Sequence, residues 1–191
     1  MKILALLGHE QNGSFCGKLH DAYVASAKKA GHEIREVRLG DLSFDPILHR
    51  GYEVIQPLEP DLIKVQEDIR WCEHLVLIAP TWWALYPALL KGFFDRAFLP
   101  GFAFHYHKTD PMWDKLLAGR SARYITTMDA PVWYCRWLNG DPGVKAVVRG
   151  ILKFSGFNPV KVTRIGRVRR LTDAEKTKWI QIVATLGAQG K

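Results

Sequence analysis

Short unbroken apolar runs alternate along the chain with stretches in which apolar residues recur every three or four positions. Ile3-Leu4-Ala5-Leu6-Leu7 stops at Gly8, and His74-Leu75-Val76-Leu77-Ile78-Ala79 stops at Pro80. Runs of this length and composition predict strands buried on both faces. Glu33–Leu39, with Ile34, Val37 and Leu39 spaced among charges, predicts a second strand in chain order, and Ala122–Thr127 and Val160–Ile165 predict two more. Between them Ser14 caps a helix carrying Leu19, Ala22, Tyr23, Ser26 and Ala27, which Gly31 stops. Asp61 caps another, carrying Leu62, Val65, Ile69 and Trp71 or Cys72. Pro87–Phe98 reads as a helix with proline in its first turn, where the missing N–H costs nothing. Val144–Phe154, ended by Gly156, and Asp173–Leu186 complete the set. Residues 40–60, with three prolines, predict a long loop, and residues 99–119 an irregular segment.

Five strands alternating with five helices predict an α/β fold: a doubly wound five-stranded parallel sheet, order 2-1-3-4-5, with helices on both faces, the flavodoxin-like architecture. The chain has 191 residues, 48% hydrophobic and 24% charged, which suits a single domain over 1–191 and excludes disorder, collagen and coiled coil. Cys16, Cys72 and Cys135 have no paired spacing, so neither a disulfide framework nor a cysteine zinc site is expected. Cys16 reads as a buried, inert thiol rather than an activated one, and His105 and His107, with no acidic or cysteine partner at ligand spacing, are not expected to bind metal. The longest charge-free apolar stretch, Leu75–Leu90, is short for a bilayer span and holds two prolines, and the five apolar residues after Lys2 are too few for a signal peptide. A cytoplasmic protein without a membrane span is expected.

Charge alters the picture only locally. Of the net +8, residues 1–142 carry 16 basic against 17 acidic side chains, and residues 143–191 carry 11 against 2. A diffuse nucleic-acid surface is therefore not expected. The densest part, Arg164, Arg167, Arg169 and Arg170, is either a solvated basic face or a patch facing phosphate or an acidic partner.

In such a sheet, ligands lie beyond the carboxyl ends of the strands where the winding switches. Three loops meet there. Gly8–Phe15 leads from a strand into a helix N-terminus, where free N–H groups and Ser14 favour an anion. It carries neither Gly-x-Gly-x-x-Gly nor a Gly-Lys-Ser/Thr loop, and a structural turn reads equally well. Pro80-Thr81-Trp82-Trp83-Ala84-Leu85-Tyr86-Pro87 places three large aromatics in a loop, suited to walling a flat heteroaromatic ring. Thr126–Tyr134 adds hydroxyls, a carboxylate and more aromatic surface, with Tyr134 able to donate a hydrogen bond to developing negative charge. The alternative is that Trp133 and Trp137 pack on the sheet. Asp95 and Arg96 read as a structural pair, with a dimer-interface or flavin-edge role as the alternative.

These loops, with Pro87-Ala88-Leu89-Leu90-Lys91-Gly92-Phe93-Phe94-Asp95-Arg96-Ala97-Phe98 and Gly101-Phe102-Ala103-Phe104, resemble the NAD(P)H:quinone oxidoreductase family of flavoproteins over residues 2 to about 160, more closely its compact bacterial members. The resemblance implies two-electron ping-pong chemistry, in which NAD(P)H gives a hydride to flavin N5 and a quinone or similar acceptor takes it. It implies that His9, Ser14, Phe15 and Cys16 hold the phosphate end of the flavin. Pro80, Thr81, Trp82 and Trp83 would border its ring, and Thr126, Thr127, Met128 and Asp129 its other side. Tyr134 falls on the catalytic tyrosine, and Phe104 and Tyr106 on the substrate pocket, reaching across a homodimer. Gly140 stands where the animal enzymes have a histidine, so no Tyr–His relay is implied. Without the extra C-terminal domain of those enzymes, FMN is the expected flavin and FAD the alternative. A flavin-bearing accessory subunit of a membrane transport system is the alternative function. A one-electron carrier is disfavoured, since such carriers are acidic.

Overall fold

A computed structural model describes all 191 residues. Along the chain run β1 (Lys2–Leu7), α1 (Phe15–Lys29), β2 (Glu33–Arg38), α2 (Pro60–Trp71), β3 (His74–Pro80), α3 (Ala88–Ala97), β4 (Phe104–Tyr106), β5 (Trp113–Lys115), β6 (Ser121–Thr127), α4 (Pro142–Lys145), β7 (Val160–Ile165) and α5 (Asp173–Ala188). Five strands form one parallel sheet, in the order β2-β1-β3-β6-β7. With the β4–β5 hairpin set aside, this is the expected 2-1-3-4-5 order. No helix is long and apolar enough to cross a membrane.

Side chains alternate across each strand, so an all-apolar strand feeds two layers. Leu4 and Leu6 of β1, Leu75 and Leu77 of β3 and Tyr124 of β6 enter one layer, with Leu62, Val65 and Ile69 of α2 and Leu90 and Phe93 of α3. Ile3, Ala5 and Leu7, Val76 and Ile78, and Ile125 enter the other, with Leu19, Tyr23 and Ala27 of α1 and Val183 of α5. The helix ends follow local chemistry. Ser14 Oγ accepts the Gly17 N–H at 3.2 Å at the start of α1, and Gly31 leaves it at φ +82°. Thr172 and Glu175 form a reciprocal capping box on α5.

Several segments differ from the sequence expectation. Helix α2 starts at Pro60, and Asp61 does not cap it; its carboxylate instead accepts the Ser43 N–H at 2.7 Å, tying the preceding loop down. The segment expected to be irregular contains the β4–β5 hairpin. Phe102, Ala103 and Phe104 are buried there, and Trp113 stacks on Phe154 with ring centroids 4.5 Å apart. The helix expected over 144–154 begins at Pro142 and widens to π-helical turns over Ala146–Lys153. A second π-helical turn, Tyr134–Leu138, forms where no helix was expected. His107 does have acidic partners, Asp110 at 3.0 Å and Asp114 at 3.2 Å, one on each ring nitrogen. The two carboxylates sit on opposite ring nitrogens, and the three side chains are not arranged as a group that could hold one metal ion.

Asp95 and Arg96 are not a pair. On a helix, neighbours in sequence point about 100° apart, so each finds its own partner. Asp95 bonds Lys91 at 2.6 Å on the exposed side of α3. Arg96 is fully buried and donates to Glu59 Oε2 at 2.9 Å and to the carbonyls of Pro57 at 2.9 Å and Asp45. One guanidinium thus pins both ends of the long 42–59 loop to the core. Removing it strands two carbonyls and half-frees Glu59. Arg96→Ala is expected to cost about 3 kcal/mol in urea unfolding, with faster proteolysis inside residues 47–56. An unchanged midpoint would contradict this role.

His74 begins β3 and is buried, with Nδ1 bonded to Ser121 Oγ at 2.8 Å. Burial, reinforced by the charges of Arg123 and Lys161, pushes its pKa down to about 4. The unfolded chain therefore binds a proton below about pH 6.5 that the native state refuses down to about pH 4. Stability should fall by up to about 1.4 kcal/mol per pH unit across that window on account of His74. Chemical denaturation of His74→Asn against pH should show a shallower slope between pH 6.5 and 4.

Candidate active site

The site grows from the carboxyl ends of β1, β3 and β6, which backbone and hydroxyl bonds lock together. The Gly8 N–H donates to Ile78 O at 2.8 Å, and the Thr81 N–H to Thr127 O at 2.7 Å. Thr81 Oγ1 lies 2.8 Å from Thr126 Oγ1, and Cys16 Sγ lies 3.3 Å from Thr127 Oγ1. Gly8 is needed for this approach, because a Cβ there would sit 2.9 Å from Leu90 Cδ2 and 3.0 Å from Ala79 Cβ. Thr126 and Thr127 are buried with their hydroxyls turned to these partners. They tie the strand ends together.

Above these ends opens a cavity of about 410 Å³. The Trp loop supplies one wall with Thr81, Trp82, Trp83 and Ala84; Met128, Asp129 and Ala130 after β6 supply another; Tyr134, Cys135 and Asn139 close the third. Trp82 and Leu85 exchange backbone hydrogen bonds of 2.8 and 2.9 Å, with Trp83 and Ala84 at φ 51° and 62° between them. Two successive left-handed residues are the geometry of a mirror-image tight turn that normally uses Asn-Gly. A tryptophan held there is strained by about 1 kcal/mol or more, and it stands 99% exposed. The indole therefore contributes little to the packing of the chain itself. The turn is fixed from behind. The Gly143 N–H donates to Ala84 O at 3.0 Å, and a Cβ on Gly143 would lie 2.7 Å from that oxygen.

The third wall depends on the π-helical turn Tyr134–Leu138, which closes with the Asp141 N–H donating to Cys135 O at 2.8 Å. Asp141 is buried in a left-handed conformation and is anchored by Arg164 Nε at 3.0 Å from β7. This wider coil keeps Trp133 and Trp137 half or more exposed, so neither packs on the sheet. Beneath the Trp loop, His9 is nearly buried and meets the Trp82 ring edge-on, with centroids 5.5 Å apart. His9 Nδ1 accepts the Gln11 N–H at 2.9 Å, leaving Nε2 as its free nitrogen. Next to it, the N–H groups of Phe15 and Cys16 in the first turn of α1 have no partner within the chain, nor do those of Asp129 and Ala130.

Most of the expected residues thus meet in one place. Thr81, Trp82, Trp83, Met128, Asp129 and Tyr134 line the cavity. His9 touches its Trp82 wall, Pro80 ends β3 just before Thr81, Cys16 reaches Thr127 at the end of β6, and Ser14 and Phe15 begin α1. Phe104 and Tyr106 do not join them. They line a separate aromatic cavity of about 450 Å³ with Tyr86, Phe94, Phe98 and Phe154. Ala84, Ala130, Cys135 and Asn139 belong to the site but carry no chemical signal in the sequence beyond the turn composition of Asn139-Gly140-Asp141-Pro142.

The protein family described as flavodoxin-like fold matches residues 1–184. The chain is 28% identical over 181 residues to NAD(P)H dehydrogenase [quinone] 1 of Rattus norvegicus, covering 82% of this chain and 65% of that protein. It thus spans about two-thirds of the length of that curated relative. Among solved structures, Smu.1420 from Streptococcus mutans superposes with a TM-score of 0.83 at 30% identity, over 99% of this chain and all of that one. The NAD(P)H:quinone oxidoreductase from Methanothermobacter marburgensis shares the fold, with a TM-score of 0.82 at 21% identity, over 99% of this chain and 98% of that one.

Burial pushes the Cys16 thiol up to about 11 and the Cys72 thiol up to about 12. Neither forms thiolate near neutral pH. Cys135, on the cavity wall, is raised less and is partly exposed. A chromogenic disulfide reagent at pH 8 should titrate one thiol per native chain and three after denaturation, and Cys135→Ser should abolish the native reaction.

Proposed function

Since the chain belongs to the flavodoxin-like fold family, we propose that it is a flavin-dependent NAD(P)H oxidoreductase that delivers a hydride to a quinone or a similar flat acceptor. The observation that carries this reading is the conjunction at the sheet's winding switch. A cavity of about 410 Å³ walled by Trp82, Trp83 and Tyr134 opens beside unpartnered N–H groups of α1. A flavin has both a flat heteroaromatic ring and a phosphate on a flexible stem, and this donor set fits both ends.

The N–H groups of Phe15 and Cys16, with the positive end of α1, would hold the phosphate of FMN. Trp82, propped edge-on by His9, would wall the ring on one side, and the strained Trp83 would cover the mouth and exclude water. The free N–H groups of Asp129 and Ala130 suit the ring's carbonyl edge. Bound there, the flavin would supply two-electron hydride chemistry at N5. Tyr134 would stabilise negative charge developing on the ring by donating its hydroxyl hydrogen. Asp141 and Arg164 position the wall that carries it. The acceptor would enter past Trp83. We assign Phe104 and Tyr106, which face a different cavity in one chain, to an acceptor pocket that a second copy completes.

The purified protein should be yellow, release FMN on denaturation, and be bleached anaerobically by NADH or NADPH with reoxidation by a quinone. A colourless protein that takes up neither FMN nor FAD would end the flavin reading. A yellow protein that neither nucleotide bleaches would end the reductase reading and favour an accessory role. Trp83→Ala should weaken FMN or acceptor binding about threefold to tenfold, read by fluorescence quenching and by the acceptor KM.

A further inference from the structure

The arginine-rich segment between β7 and α5 is built as a projecting turn. Gly166 packs so closely on the loop after β6 that a Cβ would lie 2.9 Å from Ala130 O and from Val132 Cγ2. The chain then reverses through Arg167, held left-handed at φ 57°, into a 3-10 turn over Val168–Arg170. The Val168 N–H donates to Met128 O at 3.2 Å. Asp129 fastens the tip, pairing with Arg169 Nε at 2.9 Å and accepting the Arg169 N–H at 3.2 Å. Val168 and Leu171 pack inward on the layer that holds Phe15, so the arginines point away from the core.

The outcome is a pocket of about 460 Å³ lined by Arg167, Arg169 and Arg170 with Asp129 and Pro131. Only Arg169 has a carboxylate partner; Arg167 and Arg170 are exposed and pair with nothing in the chain. Three guanidinium groups on one short turn, with a single carboxylate paired to one of them, leave an uncompensated positive pocket, and guanidinium forks match phosphate oxygens. Asp129 is shared between this pocket and the Trp82–Tyr134 cavity. A ligand with its flat ring in one can reach the other with an anionic end.

We propose that the Arg167–Arg170 turn binds a phosphate ester carried on the adenosine of a dinucleotide, first of all the 2′-phosphate of NADPH. The same chemistry is offered by the adenosine half of FAD, and the test separates the two sources. The inference rests on the reading of the neighbouring cavity as a flavin site served by NAD(P)H, but its primary readout needs neither flavin nor turnover. Arg167→Gln/Arg170→Gln keeps the Arg169–Asp129 clasp and alters only exposed side chains, so its thermal midpoint should match that of the parent.

Calorimetric titration with adenosine 2′,5′-bisphosphate and with 5′-AMP should show the bisphosphate binding at least tenfold more tightly to the parent. The double variant should lose that margin, and the KM for NADPH should rise while that for NADH stays within twofold. If instead the variant loses affinity for FAD but not FMN, with the bisphosphate margin absent from the parent, the phosphate is that of FAD. Unchanged binding of the bisphosphate and of FAD in the variant would overturn the proposal. A protein that binds no flavin yet loses the bisphosphate with the two arginines would refute the reductase reading and leave this one standing.

Discussion

The central strands β1, β3 and β6 are apolar on both faces, and a sheet of that kind has to be covered twice. Seven consecutive residues of β3 are buried, and its neighbours β1 and β6 are nearly as dry. Parallel strands cannot be joined by tight turns, so each return needs a crossover helix. Right-handed crossovers place a helix on one face or the other according to the direction of winding. Helices α1 and α5 share one face and α2, α3 and α4 the other. The direction therefore reverses between β1 and β3. At that reversal the loops diverge, and the sheet edge is left open. The crevice is a consequence of covering both faces, and the site occupies it.

Holding such a crevice in shape requires fixed points on each of its sides. Hydroxyls do this on the strand ends, where Thr81, Thr126, Thr127 and Cys16 bond one another rather than solvent. Gly143 does it behind the Trp turn, and the Asp141–Arg164 pair does it under the Tyr134 wall. Arg96 does the equivalent for the long 42–59 loop, using backbone carbonyls as much as Glu59. A buried charge is costly unless its donors are satisfied, so a loop that supplies three acceptors is itself held by that requirement. The strain in Trp83 and Ala84 is tolerated because the surrounding bonds over-determine the turn.

The period of the hydrophobic pattern carried almost all of the fold. Strand runs such as Leu75–Ala79 and helical spacings such as Leu62, Val65 and Ile69 depend on neighbours close in sequence, and solvent exclusion acts on them whatever the rest of the chain does. Alternation implied a parallel sheet covered on both faces, and its order came from the fit of five strands and five helices to the flavodoxin-like architecture. The three loops of the site were legible for the same reason, since strand ends fix where a crevice opens and the loops' aromatics were visible as composition. The turn of arginines was legible as charge, though not as a pocket.

What the tertiary structure alone decided are the pairings between distant segments. Asp95 with Lys91 and Arg96 with Glu59, in place of Asp95 with Arg96, follow from which face of α3 meets the 42–59 loop. Asp61 bonding Ser43 rather than capping α2, the π-helical coil that exposes Trp133 and Trp137, and the separation of Phe104 and Tyr106 from the Trp cavity are of the same kind. Local sequence sets which conformations a segment can adopt. Which polar group finds which partner is set by distances across the fold, and a buried donor takes the acceptor that packing brings to it, however far away along the chain.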